Sequence, residues 1–113
     1  MKELQEEIEN FVKERGWTKF HNPKELLLGV VEEVGEFRNI VKWEPDPQRL
    51  EDIIKKNYEE VEDTFGDMLW FMASLANRCN VDLETALKKV IERNKKRFPK
   101  EKYLNVHTNL YSD

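Results

Sequence analysis

Phe65-Gly66-Asp67-Met68-Leu69-Trp70-Phe71-Met72-Ala73-Ser74-Leu75-Ala76 is the stretch that decides the fold. At 100° per residue Phe65, Met68, Leu69, Met72 and Ala76 fall in one stripe, while Trp70 and Phe71 fall on the other side. The middle of this helix is therefore apolar almost all round. It needs cover on two sides, more than a four-helix monomer of 113 residues readily supplies. The expectation is an all-α helical bundle completed by oligomerisation. The second face also carries Glu60, Asp63 and Asp67. Carboxylates beside buried aromatics must be neutralised by something, because unpaired buried charge is costly.

Working outward, the long helix ends near Asn80, and Asp82 caps the next, whose stripe is Leu83, Leu87, Val90, Ile91 and Phe98. Upstream, the chain passes Asn57, with or without a break, from a short helix opened by Asp46 and Pro47 with Leu50, Ile53 and Ile54 inward. Asn22-Pro23-Lys24-Glu25 is a further helix start: Asn22 caps, Pro23 suits the first helical position, and Glu25 reaches back as in a capping box. That helix has the stripe Leu26, Leu27, Val30, Val34, Phe37 and Val41 and ends before Trp43. The first helix carries Leu4, Ile8, Phe11 and Val12 and stops at Gly16. Four main helices and a short connecting one thus fill residues 1–98, one helical domain. The tail, 99–113, has no period and reads as an arm or a partly disordered segment.

Composition narrows the function. Hydrophobic residues at 39%, charged residues at 37% and a net charge of -4 exclude a disordered chain. No apolar run approaches the roughly 20 residues that cross a bilayer, so no membrane partner is expected. The opening Met1-Lys2-Glu3-Leu4-Gln5-Glu6-Glu7 is too acidic for a signal peptide. Cys79 is the only cysteine and is expected to pack as a small apolar residue; with no disulfide possible within the chain, a cytoplasmic location fits. Mild acidity without a basic cluster argues against nucleic-acid binding.

Glu33 and Glu36 sit one turn apart, bordering the Val30/Phe37 stripe instead of facing open water. Gly29, one turn before Glu33, thins that face and lets something approach the backbone closely. Two helices offering inward carboxylates, with no matching inward Lys or Arg, describe a site for a hard cation, Mg²⁺ or Mn²⁺ over Zn²⁺, of the kind that shares phosphates. With 23 acidic residues such spacings also arise on solvated faces, as at Glu6/Glu9 and Glu59/Glu62; position against the apolar stripe sets Glu33/Glu36 apart. Trp17 and Trp43 flank the second helix and could sandwich or line a base, or fill gaps at helix ends or a subunit interface. Phe71, one turn after Asp67, belongs to the same pocket or to the core. His21 reads as structural, bonding a helix end or Asn22. Asn94 falls within the stripe of its helix and needs a partner: a phosphate, a metal-bound water or another helix's backbone. Arg97 lies at the stripe's edge, and Lys89, Arg93 and Lys96 share an exposed face that could steer a triphosphate, or be ordinary surface.

Leu26-Leu27-Leu28-Gly29-Val30-Val31-Glu32-Glu33-Val34-Gly35-Glu36 resembles the first signature of the MazG-like nucleotide pyrophosphohydrolases. Gly66-Asp67-Met68-Leu69-Trp70-Phe71, with Leu75-Ala76-Asn77-Arg78-Cys79 and Val81-Asp82 after it, resembles their second signature. Asn94-Lys95-Lys96-Arg97-Phe98-Pro99 resembles the closing segment. Trp17, His21 and Trp43 have counterparts in the dCTP pyrophosphatase branch, where matching tryptophans help hold the base. The resemblance implies an all-α fold assembled as a homodimer or homotetramer. It implies Mg²⁺-dependent hydrolysis of a nucleoside triphosphate, dCTP or a related pyrimidine nucleotide, to monophosphate and pyrophosphate. Glu33, Glu36 and Asp67 would be the catalytic metal ligands, and Trp17, Trp43, Phe71, Arg93, Asn94 and Arg97 the substrate-binding residues. One departure matters: the family's second signature is Glu-x-x-Asp, and Thr64 stands where the Glu belongs. Asp63 is the expected substitute ligand; the alternatives are a weaker site held through water, or a non-catalytic interaction or nucleotide-sensing bundle.

Overall fold

The computed structural model describes residues 1–105. They form α1 (Lys2–Glu14), a single 3₁₀ turn (Thr18–Phe20), α2 (Pro23–Val41), α3 (Pro47–Lys56), α4 (Tyr58–Arg78), α5 (Leu83–Arg97) and the one-turn α6 (Lys100–Tyr103). Among the described residues there is no strand, so the chain is all-α. The four main helices and the short connector α3 are those expected. The tail differs: Pro99 opens α6, and the Phe98 and Tyr103 rings meet edge-on at 5.3 Å. Residues 106–113, where the rest of the expected arm falls, lie outside the described residues.

Local chemistry explains most boundaries. Asn22 Oδ1 accepts the Glu25 N–H at 2.9 Å with Pro23 in the first turn, and Asp46 Oδ1 accepts the Gln48 N–H at 3.0 Å ahead of Pro47. Gly16, at φ 65°, ends α1: its N–H reaches the Lys13 carbonyl and the Trp17 N–H that of Val12, the Schellman pattern. Asn80, at φ 55°, ends α4 in the same way, through the Asn77 and Ala76 carbonyls. At Asn57 there is a break, and the Asn57 amide closes α3 on the Ile53 carbonyl at 2.8 Å. Asp82 stands at the start of α5 but caps it differently from expectation. Its carboxylate accepts the Thr85 hydroxyl at 2.6 Å, an interaction that lowers its pKa, and the Leu83 N–H goes instead to Gln5 of α1 at 3.0 Å.

The axis of the molecule is the antiparallel pair α2 and α4, with α1 antiparallel to α4 on another side and α3 bridging α2 and α4. Ring contacts fix the registers. Phe37 meets Phe65 at 5.6 Å, Phe71 meets Gly29, and Phe11 meets Trp70 at 5.4 Å. This corrects which side of α4 is the core. Val61, Thr64, Ala73, Ser74 and Ala76 are buried, whereas Phe65, Leu69 and Met72 of the expected stripe stay largely open; Leu69 is 54% exposed. The same holds for Leu27 and Val34 of α2 and for Leu87 and Ile91 of α5. Helical spacing identified the apolar residues, but α1 and α2 take the flanks of α4 that carry Trp70 and Phe71 and leave the third flank uncovered. Cys79 is exposed at the end of α4 instead of packed.

The chain is accordingly open. Its accessible surface is 9411 Å², against about 6,600 Å² for a compact monomer of this mass. Its radius of gyration is 17.5 Å, against about 13 Å for a compact domain of this length.

Gly29 is where α2 and α4 touch most closely. A Cβ built there would lie 2.5 Å from the Cδ1 and Cε1 atoms of Phe71 and 2.9 Å from its Cγ. Because Cγ is involved, no small rotation of the ring clears the overlap. Gly29→Ala should therefore lower the melting temperature, although alanine favours an isolated helix by about 1 kcal/mol over glycine. Adding Phe71→Leu should recover part of the loss, so that the two changes are non-additive in thermal denaturation; simple additivity would contradict the contact.

Candidate metal centre

The register that joins Gly29 to Phe71 and Phe37 to Phe65 brings Glu33 of α2 opposite Asp67 of α4, halfway along the pair. Glu36 lies one turn further along α2. Glu33 is half-buried, and its Oε2 atom is sealed from solvent with no hydrogen-bond partner. Its pKa is raised above the ordinary 4.5, first by burial, then by the charges of Glu36, Asp67 and Glu32 and by a side-chain hydrogen bond with Glu36. Every leading influence on this carboxyl acts in the same direction. Glu36 and Asp67 stand at the exposed rim. Among the described residues no three such groups form a ready-made coordination shell. The cluster is an open one, with Glu36 and Asp67 on its solvent side.

These residues fit a hard cation. An orphaned buried carboxylate oxygen needs a positive partner, the donors are all oxygens, and two helices supply them from facing sides. Glu33, Glu36 and Asp67 would hold it. Asp63 is exposed and is not among the groups that act on Glu33. Thr64, at 3% exposure, turns its hydroxyl onto the Glu60 carbonyl of its own helix at 2.8 Å, leaving that donor engaged within α4.

The other expected site residues are spread more widely. Trp17 and Trp43 lie just beyond opposite ends of α2, a helix of 19 residues and so about 28 Å long. Trp17 packs edge-on against Phe11 at 5.7 Å, with the His21 ring 6.4 Å away, and the His21 N–H closes the 3₁₀ turn on the Thr18 carbonyl at 3.1 Å. Trp43 is 83% exposed, with only the Lys42 ammonium over its ring at 5.0 Å. Phe71 is the group that approaches the α2 backbone at Gly29, so the thinned face receives a core ring. On α5, Arg93 is exposed, Asn94 half-buried, and Arg97 lies over the Phe98 ring at 5.2 Å. Two grooves open elsewhere: about 570 Å³ between α1 and the α4–α5 turn, and about 500 Å³ along the Lys88, Lys89, Arg93 and Lys96 face of α5.

Two buried polar residues, Gln5 and Ser74, escaped the sequence reading. Gln5 looks solvated between Leu4 and Glu6, yet it stands in line with Val12 seven residues on, and that alignment was the available signal.

Residues 21–101 match the MazG nucleotide pyrophosphohydrolase domain. Over 93 residues the chain is 37% identical to dCTP pyrophosphatase 1 of Rattus norvegicus and 36% identical to that of Homo sapiens. The alignments cover 79% of this chain and 53% of those proteins, so the chain spans about half the length of these curated relatives. The crystal structure of a pyrophosphatase from Archaeoglobus fulgidus is similar to it with a TM-score of 0.80 and 28% identity, over 88% of this chain and 92% of that one.

The raised Glu33 pKa sets a testable pH dependence. A carboxyl with a raised folded-state pKa favours the folded chain below its ordinary range, and that contribution is lost as pH rises through the raised value. In EDTA, Glu33→Gln should therefore melt higher than the parent at about pH 7, and the difference should shrink towards about pH 4. Thermal scans showing no gain at neutral pH would remove the burial and repulsion assigned to Glu33.

Proposed function

This chain belongs to the MazG nucleotide pyrophosphohydrolase family, and we propose that it hydrolyses a nucleoside triphosphate to the monophosphate and pyrophosphate at the Glu33, Glu36 and Asp67 cluster. The observation that carries this reading is the buried, partnerless Oε2 of Glu33 facing Asp67 across the α2–α4 seam. Mg²⁺, with Mn²⁺ as the alternative, is the cation these oxygens suit. Such an ion supplies positive charge that holds phosphate oxygens and stabilises the charge developing at phosphorus. A carboxylate of the cluster can take the proton released by an attacking water. Glu36 and Asp67, at the rim, would hold the cation from the open side, where phosphates can reach it.

The relatives named dCTP pyrophosphatase support dCTP or a related pyrimidine nucleotide as substrate. Trp17 and Trp43, before and after α2, are the groups proposed to contact the base. A second copy suits the uncovered apolar flanks of α4 and α5. The assembly is thus a homodimer or homotetramer. Among the described residues no helix is long and apolar enough to cross a membrane, and a nucleotide-pool role in the cytoplasm fits. One observation favours a second reading: with Thr64 bonded within its own helix and Asp63 turned outward, a nucleotide-sensing bundle without turnover remains the competitor.

Pyrophosphate release from a nucleotide panel should depend on Mg²⁺, vanish in EDTA and be strongest with dCTP. Asp67→Asn should lower turnover by at least about 100-fold without unfolding the chain. Absence of release from every nucleotide would sink the enzymatic reading. The Thr64 question is answered by Mg²⁺ titration calorimetry: Thr64→Glu should bind the ion more tightly than the parent, and unchanged affinity would mean Asp63 already serves.

A further inference from the structure

The extended helix packings of the chain are α2 on α4, α1 on α4, α2 on α3 and α3 on α4; α5 has none. Its Leu87 is 60% exposed. Within one copy, the direction in which α5 leaves α4 is set chiefly at the turn between them, residues 79–82. The backbone there reverses through the left-handed Asn80, and the Val81 N–H returns to the Ala76 carbonyl at 2.8 Å. From Val81 onward the turn is held by another helix. Gln5, 6% exposed, donates from Nε2 to the Val81 carbonyl at 3.0 Å and to Asn77 Oδ1 at 3.1 Å. Its Oε1 accepts the Leu83 N–H at 3.0 Å, and its own carbonyl accepts Asn77 Nδ2 at 3.0 Å. Beside it, Glu9 of α1 pairs with Arg78 in the last turn of α4.

The side chain of Gln5 thus ties together the end of α4, the turn and the first N–H of α5. The Asp82 side chain does not do this: its Oδ2 accepts the Thr85 hydroxyl, and its Oδ1 takes no bond from the turn. Removing Gln5 leaves the Val81 carbonyl and the Leu83 N–H without this partner at a part-buried site, and the turn gains freedom to find others. Gln5 also lies outside residues 21–101, the segment matched to the family, so the clamp comes from a helix beyond that segment.

We propose that Gln5 is a positioning residue: from α1 it fixes the turn between α4 and α5, and so the direction in which α5 carries Arg93, Asn94 and Arg97 to the triphosphate. Only the last step rests on the proposed reaction. The metal cluster lies on α2 and α4 and is independent of this turn.

The test uses the full chain with Cys79→Ser and spin labels at Lys24→Cys on α2 and Lys88→Cys on α5, diluted with unlabelled protein so that distances within one chain are read. Double electron–electron resonance should give one narrow distance with Gln5 present and a broad distribution in Gln5→Leu. Leu83→Pro is the second variant. Proline suits the first helical position and Asp82 is already extended at φ -86° and ψ 110°, so α5 persists while the N–H held by Gln5 is lost. It should also broaden the distribution. In both variants, measured without labels well below their melting temperatures, KM for the triphosphate should rise about tenfold or more with kcat little changed. The Mg²⁺-induced rise in melting temperature should persist. A distance distribution unchanged in both variants would overturn the proposal, as would a broadened one with unaltered KM. Absence of turnover in the parent chain would instead count against the proposed reaction, while the distances still decide whether Gln5 directs α5.

Discussion

The contact between the Phe71 ring and the bare backbone of α2 at Gly29 is the constraint on which the rest of the described structure depends. It sets how closely α2 and α4 approach, and with Phe37 against Phe65 it fixes their antiparallel register. Once that register is set, Glu33 and Asp67 face one another and Glu33 is drawn out of water between the helices. A side chain at position 29 would push the helices apart, and Glu33 would regain solvent and an ordinary titration. The acidic cluster is thus a product of packing as much as of composition. Burial creates the demand for a cation, and an aromatic ring enforces the burial.

Two different chemistries hold the remaining helices to this pair. At its upper end α1 is held by rings, Phe11 against both Trp70 and Trp17. At its lower end it is held by amides, Gln5 and Asn77 exchanging bonds with each other and with the α4–α5 turn. Apolar contacts are non-directional and tolerate sliding, whereas a buried amide network has one satisfied geometry. The directional joint sits where α5 departs, the one long helix with no packing partner along its length. The open flank of α4 and the bare stripe of α5 leave apolar side chains exposed, the surface on which the proposed second copy would pack.

Helix boundaries and type were legible from the chain alone, because they are decided within a few residues. Asn22 before Pro23, Asp46 before Pro47, Gly16 and Asn80 each act on backbone groups beside them, and the described helices begin and end there. The pairing of Glu33 and Glu36 one turn apart was also local. So was the presence of apolar residues on nearly every side of α4, which required cover from more than one direction.

Which side received which cover was decided only in three dimensions. Helical spacing gives each residue's angle about its own axis but says nothing of what stands opposite. Phe65, Leu69 and Met72 could therefore read as core and yet be left open while Thr64 and Ala73 were buried. Gly29 could read as room for a ligand and receive Phe71. The importance of Gln5 needed Val81 and Leu83, more than 70 residues away, to arrive at its amide. The sequence by itself determined the helices and the acidic residues they carry, since those depend on neighbours along the chain. Tertiary structure alone decided which carboxylate lost its water and which helix was left to be aimed, since burial and direction depend on groups that only folding brings together.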